Sequence, residues 1–376
     1  MTPRGFAPDE IRARATAAQD LMARARIDAL LLTTEPEIRY FTGFLTRFWE
    51  SPTRPWFVVL PQGGDPIAVI PSIGAELMAR AGVNDIRTWP SPRPGDDGTT
   101  LLAATLNAHG PRIGLPMGDE THLRMPLAQF DALRGLCPAL DFTHDAGITR
   151  TLRMVKSDAE IAKIATACAI ADRAFARVPD IAAPGVPLAT VFRDFQALCL
   201  AEGADTVPYL AGAAGQGGYD DVISPATDAP LMPGDVLMLD TGLTFDGYFC
   251  DFDRNFALGD TGLDADHDRL VAAVEAGRAA AMPGARASDV HAAMRAAEAP
   301  APGAAVRLGH GLGMQLTEWP SLSPFDQTVL QAGMVLTLEP CVATEAGRIL
   351  VLEENIVLTE TGNRALSTPA TRMVRL

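Results

Sequence analysis

The stretch Asp235-Val-Leu-Met-Leu-Asp-Thr-Gly-Leu-Thr-Phe-Asp-Gly-Tyr-Phe-Cys-Asp-Phe-Asp-Arg-Asn-Phe256 decides how the second half of the chain folds. Two apolar runs rich in strand-forming residues flank Asp246-Gly247, a dipeptide typical of two-residue turns. The stretch therefore predicts a β-hairpin in which Phe245 faces Tyr248.

This register brings three carboxylates together. Asp240 lies opposite Asp253 and diagonal to Asp251, and all three share one face because strand side chains alternate with period two. Like charges that face each other across a sheet repel. The pattern therefore indicates a bound cation, and a metal site is the first hypothesis.

The composition is that of a globular protein of 376 residues, with 48% apolar and 20% charged residues. A net charge of −15 argues against nucleic acid and against anionic membranes as partners. The sequence has neither a run of about 18 apolar residues nor the pattern of a signal peptide, so a cytoplasmic location is expected. The five scattered cysteines predict neither a disulfide scaffold nor a cysteine zinc site.

Two domains are expected from the length, with limits at 1–148 and 149–376. Strands alternate with helices in the first part, which predicts an α/β domain, and Ser157 with Glu160 forms a capping-box pattern that begins a helix after the boundary. The predicted helices are 8–26, 74–80, 127–136, 188–200, 265–281 and 287–297, and the predicted strands are 29–32, 56–60, 67–70, 112–115, 334–340 and 348–358.

Further chemistry-bearing residues interrupt strands or glycine-rich turns in apolar surroundings. They are His310 in Leu308-Gly-His-Gly-Leu-Gly313, Glu339 before Pro340, and the pair Glu353-Glu354. Isolated carboxylates are costly to bury, and only Arg254, Arg307 and Arg348 in these windows could pair with them. A divalent cation held by carboxylates and one imidazole is the simplest solution.

Each of these features also has an ordinary explanation. An Asp at a strand end is more often a turn or cap residue, a lone Gly-His-Gly is weak evidence, and a Glu before Pro is usually exposed to solvent. The remaining histidines fall outside the motifs and are expected to be structural or at the surface. The occurrence of all the features in this order, on strands, favours a metal site.

The order Asp, Asp, His, Glu, Glu resembles the metal ligands of the creatinase/prolidase/aminopeptidase P family, the pita-bread metallopeptidases. The resemblance spans nearly the whole chain. Its motifs are Leu239-Asp240-Thr-Gly, Cys250-Asp251-Phe-Asp-Arg-Asn-Phe256, Gly309-His310-Gly-Leu-Gly313, Leu338-Glu339-Pro340, Leu352-Glu353-Glu354-Asn355-Ile356, and the N-terminal Ile38-Arg-Tyr-Phe-Thr-Gly-Phe44. It implies a creatinase-like α/β N-terminal domain followed by an α+β pita-bread catalytic domain.

The resemblance also implies two divalent metal ions, manganese, cobalt or zinc. Asp240 would bind one ion, His310 and Glu339 the other, and Asp251 and Glu353 would bridge both. Glu353 is preferred to Glu354 because the bridging Glu of the family is the first of its two acids. Such ions acidify a bound water, and Glu339 would accept its proton.

The sequence departs from the family pattern at three positions. Peptidases of the family carry two further histidines that contact the substrate, and here Ser224 lies in the segment of one and Thr317 replaces the other. The third departure is Asp253, where the family has Thr. Asp253 could be an extra ligand, an acid or base, or an ion-pair partner of Arg254 or another neighbour.

The expected function is hydrolysis of a C–N bond in a small imidodipeptide-like substrate, as in Xaa-Pro dipeptidases and aminopeptidases. One alternative is a lyase or hydrolase of a small osmolyte such as dimethylsulfoniopropionate or ectoine; another is an inactive binding protein. Creatinase activity is not expected, because the histidine it uses is absent.

The resemblance further implies a homodimer in which the N-terminal domain of one subunit approaches the site of the other. Tyr209, Ser224 and Thr317 are the candidate substrate-binding residues. Phe48, Trp49 and Trp56 either contribute to the pocket or pack in a core.

Overall fold

The computed structural model describes residues 2–51, 54–298 and 306–376. The chain divides into two compact units, Pro3–Arg153 and Met154–Leu376, with Thr2 assigned to the second. This division falls inside the helix Ile148–Met154. The domain limits proposed from the sequence, 1–148 and 149–376, stay a prediction.

The N-terminal unit is an α/β domain built on a six-stranded sheet in the order β4-β3-β2-β1-β5-β6. The pairs β1–β2 and β2–β3 are antiparallel, and the pairs β3–β4, β1–β5 and β5–β6 are parallel. Its strands are β1 (Ala29–Leu32), β2 (Phe57–Pro61), β3 (Ile67–Pro71), β4 (Asp85–Trp89), β5 (Arg112–Leu115) and β6 (Asp141–His144), and its helices are α1 (Pro8–Ala25), α2 (Glu35–Thr42), α3 (Ala75–Arg80), α4 (Thr99–Asn107), α5 (Leu127–Leu136) and α6 (Ile148–Met154).

Burial explains why the central strands of this sheet are continuous apolar runs. Every residue of β1, β2 and β3 is buried, as expected for strands covered on both faces. Trp56 is buried against Phe44, Phe48 and Trp49 of the same unit. These aromatic residues therefore pack together in the N-terminal unit.

The described residues of the C-terminal unit form three sheets. Their strand orders are β18-β10-β8-β7 with β9 paired to β8, β12-β11-β13-β16-β17, and β14-β15. The helices are α7 (Asp158–Phe175), α8 (Leu188–Ala201), α9 (Asp264–Ala280) and α10 (Ala287–Glu298), and the strands are β7 (Thr206–Gln216), β8 (Asp235–Phe245), β9 (Tyr248–Phe249), β10 (Phe252–Ala257), β11 (Gly309–Gly311), β12 (Glu318–Ser321), β13 (Val335–Leu338), β14 (Cys341–Ala343), β15 (Ile349–Val351), β16 (Glu354–Thr359), β17 (Gly362–Ala365) and β18 (Val374–Arg375).

Helix α7 shows how the sequence sets one layer of this unit. The predicted capping box is confirmed, because the Ser157 hydroxyl accepts the Glu160 N–H while the Glu160 carboxylate accepts the Ser157 N–H. At the other end of the helix, the Phe175 ring packs on Phe195 of α8 and on Phe252 of β10. The helix therefore covers the sheet that carries the hairpin.

The predicted hairpin and its register are confirmed. Phe245 pairs with Tyr248, and Asp240 pairs with Asp253. Asp246 and Gly247 have φ angles of 47° and 67°. Positive φ at both turn residues is the signature of a type I′ turn, which matches the twist of the flanking strands.

Two predictions about strands were wrong or incomplete. The predicted strand 348–358 is two strands, β15 and β16, because the chain leaves β15 at Leu352-Glu353 and pairs with β13 from Glu354 onward. Strand β7 was not predicted, because its Gly- and Pro-containing sequence is unusual for a strand. Gly212 is required there, since a β-carbon would lie 2.2 Å from the Met238 carbonyl oxygen.

The five cysteines are free thiols, four of them buried and Cys341 half-buried. Within the described ranges, no helix combines the length and the apolar character needed to cross a membrane.

Candidate metal centre

Three strand segments bring Asp240, Asp251 and Glu353 together. Asp240 lies within β8, Asp251 immediately precedes β10, and Glu353 lies between β15 and β16. One carboxylate oxygen from each residue lies within 4.8 Å of the others. Asp240 and Asp251 are almost fully buried, so the three oxygens form a compact group of hard donors.

His310 in β11 extends this group. Its Nδ1 lies 2.9 Å from the Gly311 carbonyl oxygen, which can only accept, so Nδ1 donates this hydrogen bond. Nε2 then lies 3.3 Å from an Asp251 oxygen and 3.5 Å from a Glu339 oxygen. A ring nitrogen that faces two carboxylates needs a positive charge between them, either a proton on the ring or a metal ion.

Glu339 lies at the end of β13 and is partly exposed, with 17% of its side chain accessible. Its carboxylate contacts the Arg307 guanidinium at 3.4 Å, and its backbone N–H donates to the Leu308 carbonyl. Glu339 is therefore a partly exposed acid of the cluster with an arginine partner.

Burial and mutual repulsion raise the pKa values of four acids at this site, Asp240, Asp251, Asp253 and Glu353. Burial, the larger cause, raises the pKa of Asp240 to about 7, against the lowering effect of a hydrogen bond from the Tyr209 hydroxyl. Burial and then the charge of Asp240 raise the pKa values of Asp251, Asp253 and Glu353 well above the ordinary range. The cluster thus carries more negative charge than its protein surroundings balance.

The donor set fits the divalent metal ions of the family that the sequence resembles. Asp240 Oδ1 is buried and has no hydrogen-bond partner within the described residues. A buried carboxylate oxygen without a partner is costly, and a cation would remove that cost. Carboxylate oxygens with one imidazole nitrogen suit manganese, cobalt or zinc.

The structure separates the roles of Glu353 and Glu354. The Glu354 carboxylate pairs with the Arg254 guanidinium at 3.1 Å and accepts hydrogen bonds from the Ser367 hydroxyl and the Ala370 N–H. Glu353, its neighbour, belongs to the cluster with Asp240 and Asp251. Glu354 is therefore occupied by structural contacts.

Asp253 is fully buried beside this cluster. One of its carboxylate oxygens accepts the Glu353 N–H, and the other accepts the side-chain amide of Asn255 at 3.2 Å. Arg254 pairs instead with Glu354 and donates to the Asp253 carbonyl. Arg254 thus forms its side-chain ion pair with Glu354 and not with Asp253.

Sequence reasoning missed two residues that hold Asp251 in place. The side-chain amide of Asn355 accepts the Asp251 N–H at 2.9 Å and donates to the Asp251 carbonyl at 2.6 Å. The Thr337 hydroxyl donates to the same carbonyl at 2.9 Å. Both residues sit in apolar strands, and a buried Asn in such a run is the feature that could have revealed the contact.

The three predicted substrate-binding residues have different surroundings. Tyr209 is half-buried, and its hydroxyl donates to Asp240. Thr317 is half-buried and directly precedes β12. Ser224 is exposed and bonds to Asp221 through its N–H and its hydroxyl. A role for each in binding substrate stays a prediction.

Comparison with known families agrees with this architecture. Residues 162–360 match metallopeptidase family M24, and residues 14–155 match the creatinase/prolidase N-terminal domain. The predicted fold class is therefore confirmed: a creatinase-like N-terminal domain followed by a pita-bread catalytic domain.

Similar proteins cover almost the full length of the chain. A probable dipeptidase PepE of Mycobacterium tuberculosis is 29% identical over 96% of both chains, and a Xaa-Pro dipeptidase of Pyrococcus horikoshii is 24% identical over 93% of this chain and 95% of that protein. The crystal structure of dipeptidase PepE from Mycobacterium ulcerans superposes with a TM-score of 0.81 at 28% identity, covering 99% of both chains.

Proposed function

The chain belongs to metallopeptidase family M24, and from this we propose that it hydrolyses the C–N bond of Xaa-Pro dipeptides or related small amides with the help of two divalent metal ions. Membership makes it a hydrolase and implies divalent metal ions. The observation that carries the finer proposal is the convergence of Asp240, Asp251 and Glu353 within 4.8 Å.

The proposed ligands divide between two ions. Asp240 would hold one ion and His310 with Glu339 the other, while Asp251 and Glu353 would bridge them. Such ions would supply an acidified water as nucleophile and would polarise the carbonyl of the scissile bond.

The protein's own groups then have separate tasks. The Nδ1–H bond from His310 to the Gly311 carbonyl keeps Nε2 directed at the cluster. Glu339 is the proposed proton acceptor, because its carboxylate is partly exposed beside the cluster and contacts the Arg307 guanidinium at 3.4 Å. Against the effect of burial, a hydrogen bond from the Tyr209 hydroxyl lowers the pKa of Asp240.

Substrate identity is the least constrained part of the proposal. Peptidases of the family carry a histidine at the place of Thr317 and another in the segment that here contains Ser224, so oxyanion stabilisation by imidazole is missing at both places. This observation favours, as a second candidate, a small substrate that is not a peptide, such as an osmolyte. The proposals of a homodimer and of a cytoplasmic location rest on the resemblance and on sequence composition.

The test is turnover by purified protein loaded with Mn²⁺, Co²⁺ or Zn²⁺. We expect release of proline from a panel of Xaa-Pro dipeptides and loss of at least about 100-fold in kcat/KM in Asp251→Asn, because a bridging ligand is removed. Elemental analysis establishes metal content in both proteins.

Full metal occupancy without turnover of any dipeptide would contradict the peptidase proposal. Product analysis on dimethylsulfoniopropionate and ectoine then tests the second candidate. A protein that binds no metal at all would contradict both.

A further inference from the structure

The break between β15 and β16 places Glu353 outside regular sheet pairing. Val351 is the last residue of β15, and Glu354 is the first of β16. Backbone at such a break has lost its ladder partners, so its buried N–H groups need other acceptors. The Glu353 N–H finds one in the Asp253 carboxylate.

A chain of hydrogen bonds holds the same segment from the other side. The Asn255 side-chain amide donates to Asp253 at 3.2 Å and to the Val351 carbonyl at 2.7 Å. The Tyr219 hydroxyl donates to the Asn255 side-chain oxygen at 3.2 Å and accepts the Val351 N–H at 2.7 Å. Tyr219, Asn255 and Asp253 thus fix the backbone just before and at Glu353.

We propose that Asp253 is a positioning residue, which sets the backbone of Glu353 and through it the direction of the Glu353 carboxylate at the metal centre. The side chain of Asp253 is completely buried and its two oxygens are engaged by Glu353 and Asn255. This inference rests on the proposed role of Glu353 as a metal ligand. It assigns Asp253 a task other than ligand or acid–base group.

A double-mutant cycle on metal affinity tests the proposal. Titration calorimetry with Mn²⁺ is carried out on the unchanged protein, Asp253→Ala, Glu353→Gln and the double variant. Groups that orient a metal ligand typically contribute about 10- to 100-fold in affinity, so we expect Asp253→Ala to weaken Mn²⁺ binding by that factor. In the Glu353→Gln background the same change should have no further effect, because the residue through which it acts is gone.

Tyr219→Phe provides a second readout in a residue farther from the cluster. It removes only the hydroxyl that ties Asn255 to Val351, so Mn²⁺ binding should weaken in the same direction as in Asp253→Ala but by less. Asp235→Ala is the matched control: Asp235 is a buried carboxylate of the same sheet that accepts the Met232 N–H, and its loss should leave Mn²⁺ affinity unchanged.

The outcomes separate the positioning role from its premise. If Glu353→Gln leaves Mn²⁺ affinity unchanged, the proposed ligand set is wrong. If Glu353→Gln weakens binding but Asp253→Ala does not, or if Asp253→Ala weakens binding equally in both backgrounds, the positioning role is wrong. Circular dichroism of each variant confirms that it is folded before titration.

Discussion

Glu353 and Glu354 are adjacent acids whose carboxylates have different surroundings. Glu353 lies at the break between β15 and β16, and Glu354 is the first residue of β16. Glu354 meets Arg254, Ser367 and the Ala370 N–H, so its charge is balanced. Glu353 meets Asp240 and Asp251, so its charge is opposed and its pKa is raised, chiefly by burial.

The same substitution should therefore have opposite effects at these two positions in metal-free protein. We expect Glu354→Gln to lower the free energy of unfolding by about 1–3 kcal/mol, because it weakens charge-assisted hydrogen bonds. Glu353→Gln should raise it, because one of several like charges disappears. Urea unfolding in EDTA at pH 8 measures both, and equal losses in the two variants would contradict the assignment.

The hairpin of β8, β9 and β10 is the element most fully specified by its own sequence. Asp246-Gly247 sets the turn, the turn sets the register, and the register brings Asp240 opposite Asp253. The buried pair between Asp246 and Lys163 of α7, at 2.6 Å, then attaches the turn to its covering helix.

Gly247 should be sensitive to the addition of a single methyl group. Its φ of 67° lies in the left-handed region, where a residue with a β-carbon costs about 1–2 kcal/mol, so Gly247→Ala should lower the free energy of unfolding by that amount. Gly63→Ala is the control, since Gly63 has open space around it and no positive φ is found there. Equal unfolding midpoints for the two variants would contradict a type I′ turn.

Outside the hairpin, some features of the fold could not be predicted from the sequence. Local patterns predicted most helices, because capping and apolar spacing are read within one segment. The break at Glu353 depends on an acceptor, Asp253, that is distant in the chain. The long strand β7 was not predicted, because Gly212 is required only by the close approach of the Met238 carbonyl of β8. Contacts between distant segments decide both cases, and single-segment patterns do not contain them.

For a similar reason, only part of the candidate site could be predicted from the sequence. The identities of the clustered acids follow from their unusual place in apolar runs, and the structure brings Asp240, Asp251 and Glu353 together. The clamp of Asn355 on Asp251 and the contacts of Asp253 could not be read from spacing, because they arise where separate strands meet.

The C-terminal unit carries the whole cluster, and protons compete with metal for it. Burial raises the folded-state pKa of Asp240 to about 7, above the ordinary value of 3.8, so folding favours the protonated acid. In metal-free protein this contribution to stability is fully present below pH 3.8 and is lost as the pH rises to about 7. A metal ion requires the deprotonated form and therefore stabilises most above pH 7.

Mn²⁺ should accordingly raise the thermal midpoint more at pH 8 than at pH 6. At a concentration 100 times the dissociation constant, the gain at pH 8 is about 2.7 kcal/mol. Thermal unfolding with and without Mn²⁺ at the two pH values measures the difference, with EDTA as the reference and Glu353→Gln as a variant that should gain less. A gain that is independent of pH would show that the buried acids do not bind the ion.

The clamp of Asn355 on Asp251 also imposes an order of events during biosynthesis. The two residues are 104 positions apart in the sequence. At ordinary translation speeds, the ribosome adds that length in about 5 to 20 s. During this interval the hairpin can form with its acids already facing one another, while the strand that completes their surroundings does not yet exist. The proposed metal-ligand set is therefore complete only after Glu353 has been synthesised, and a hairpin that forms earlier carries its carboxylates without that set.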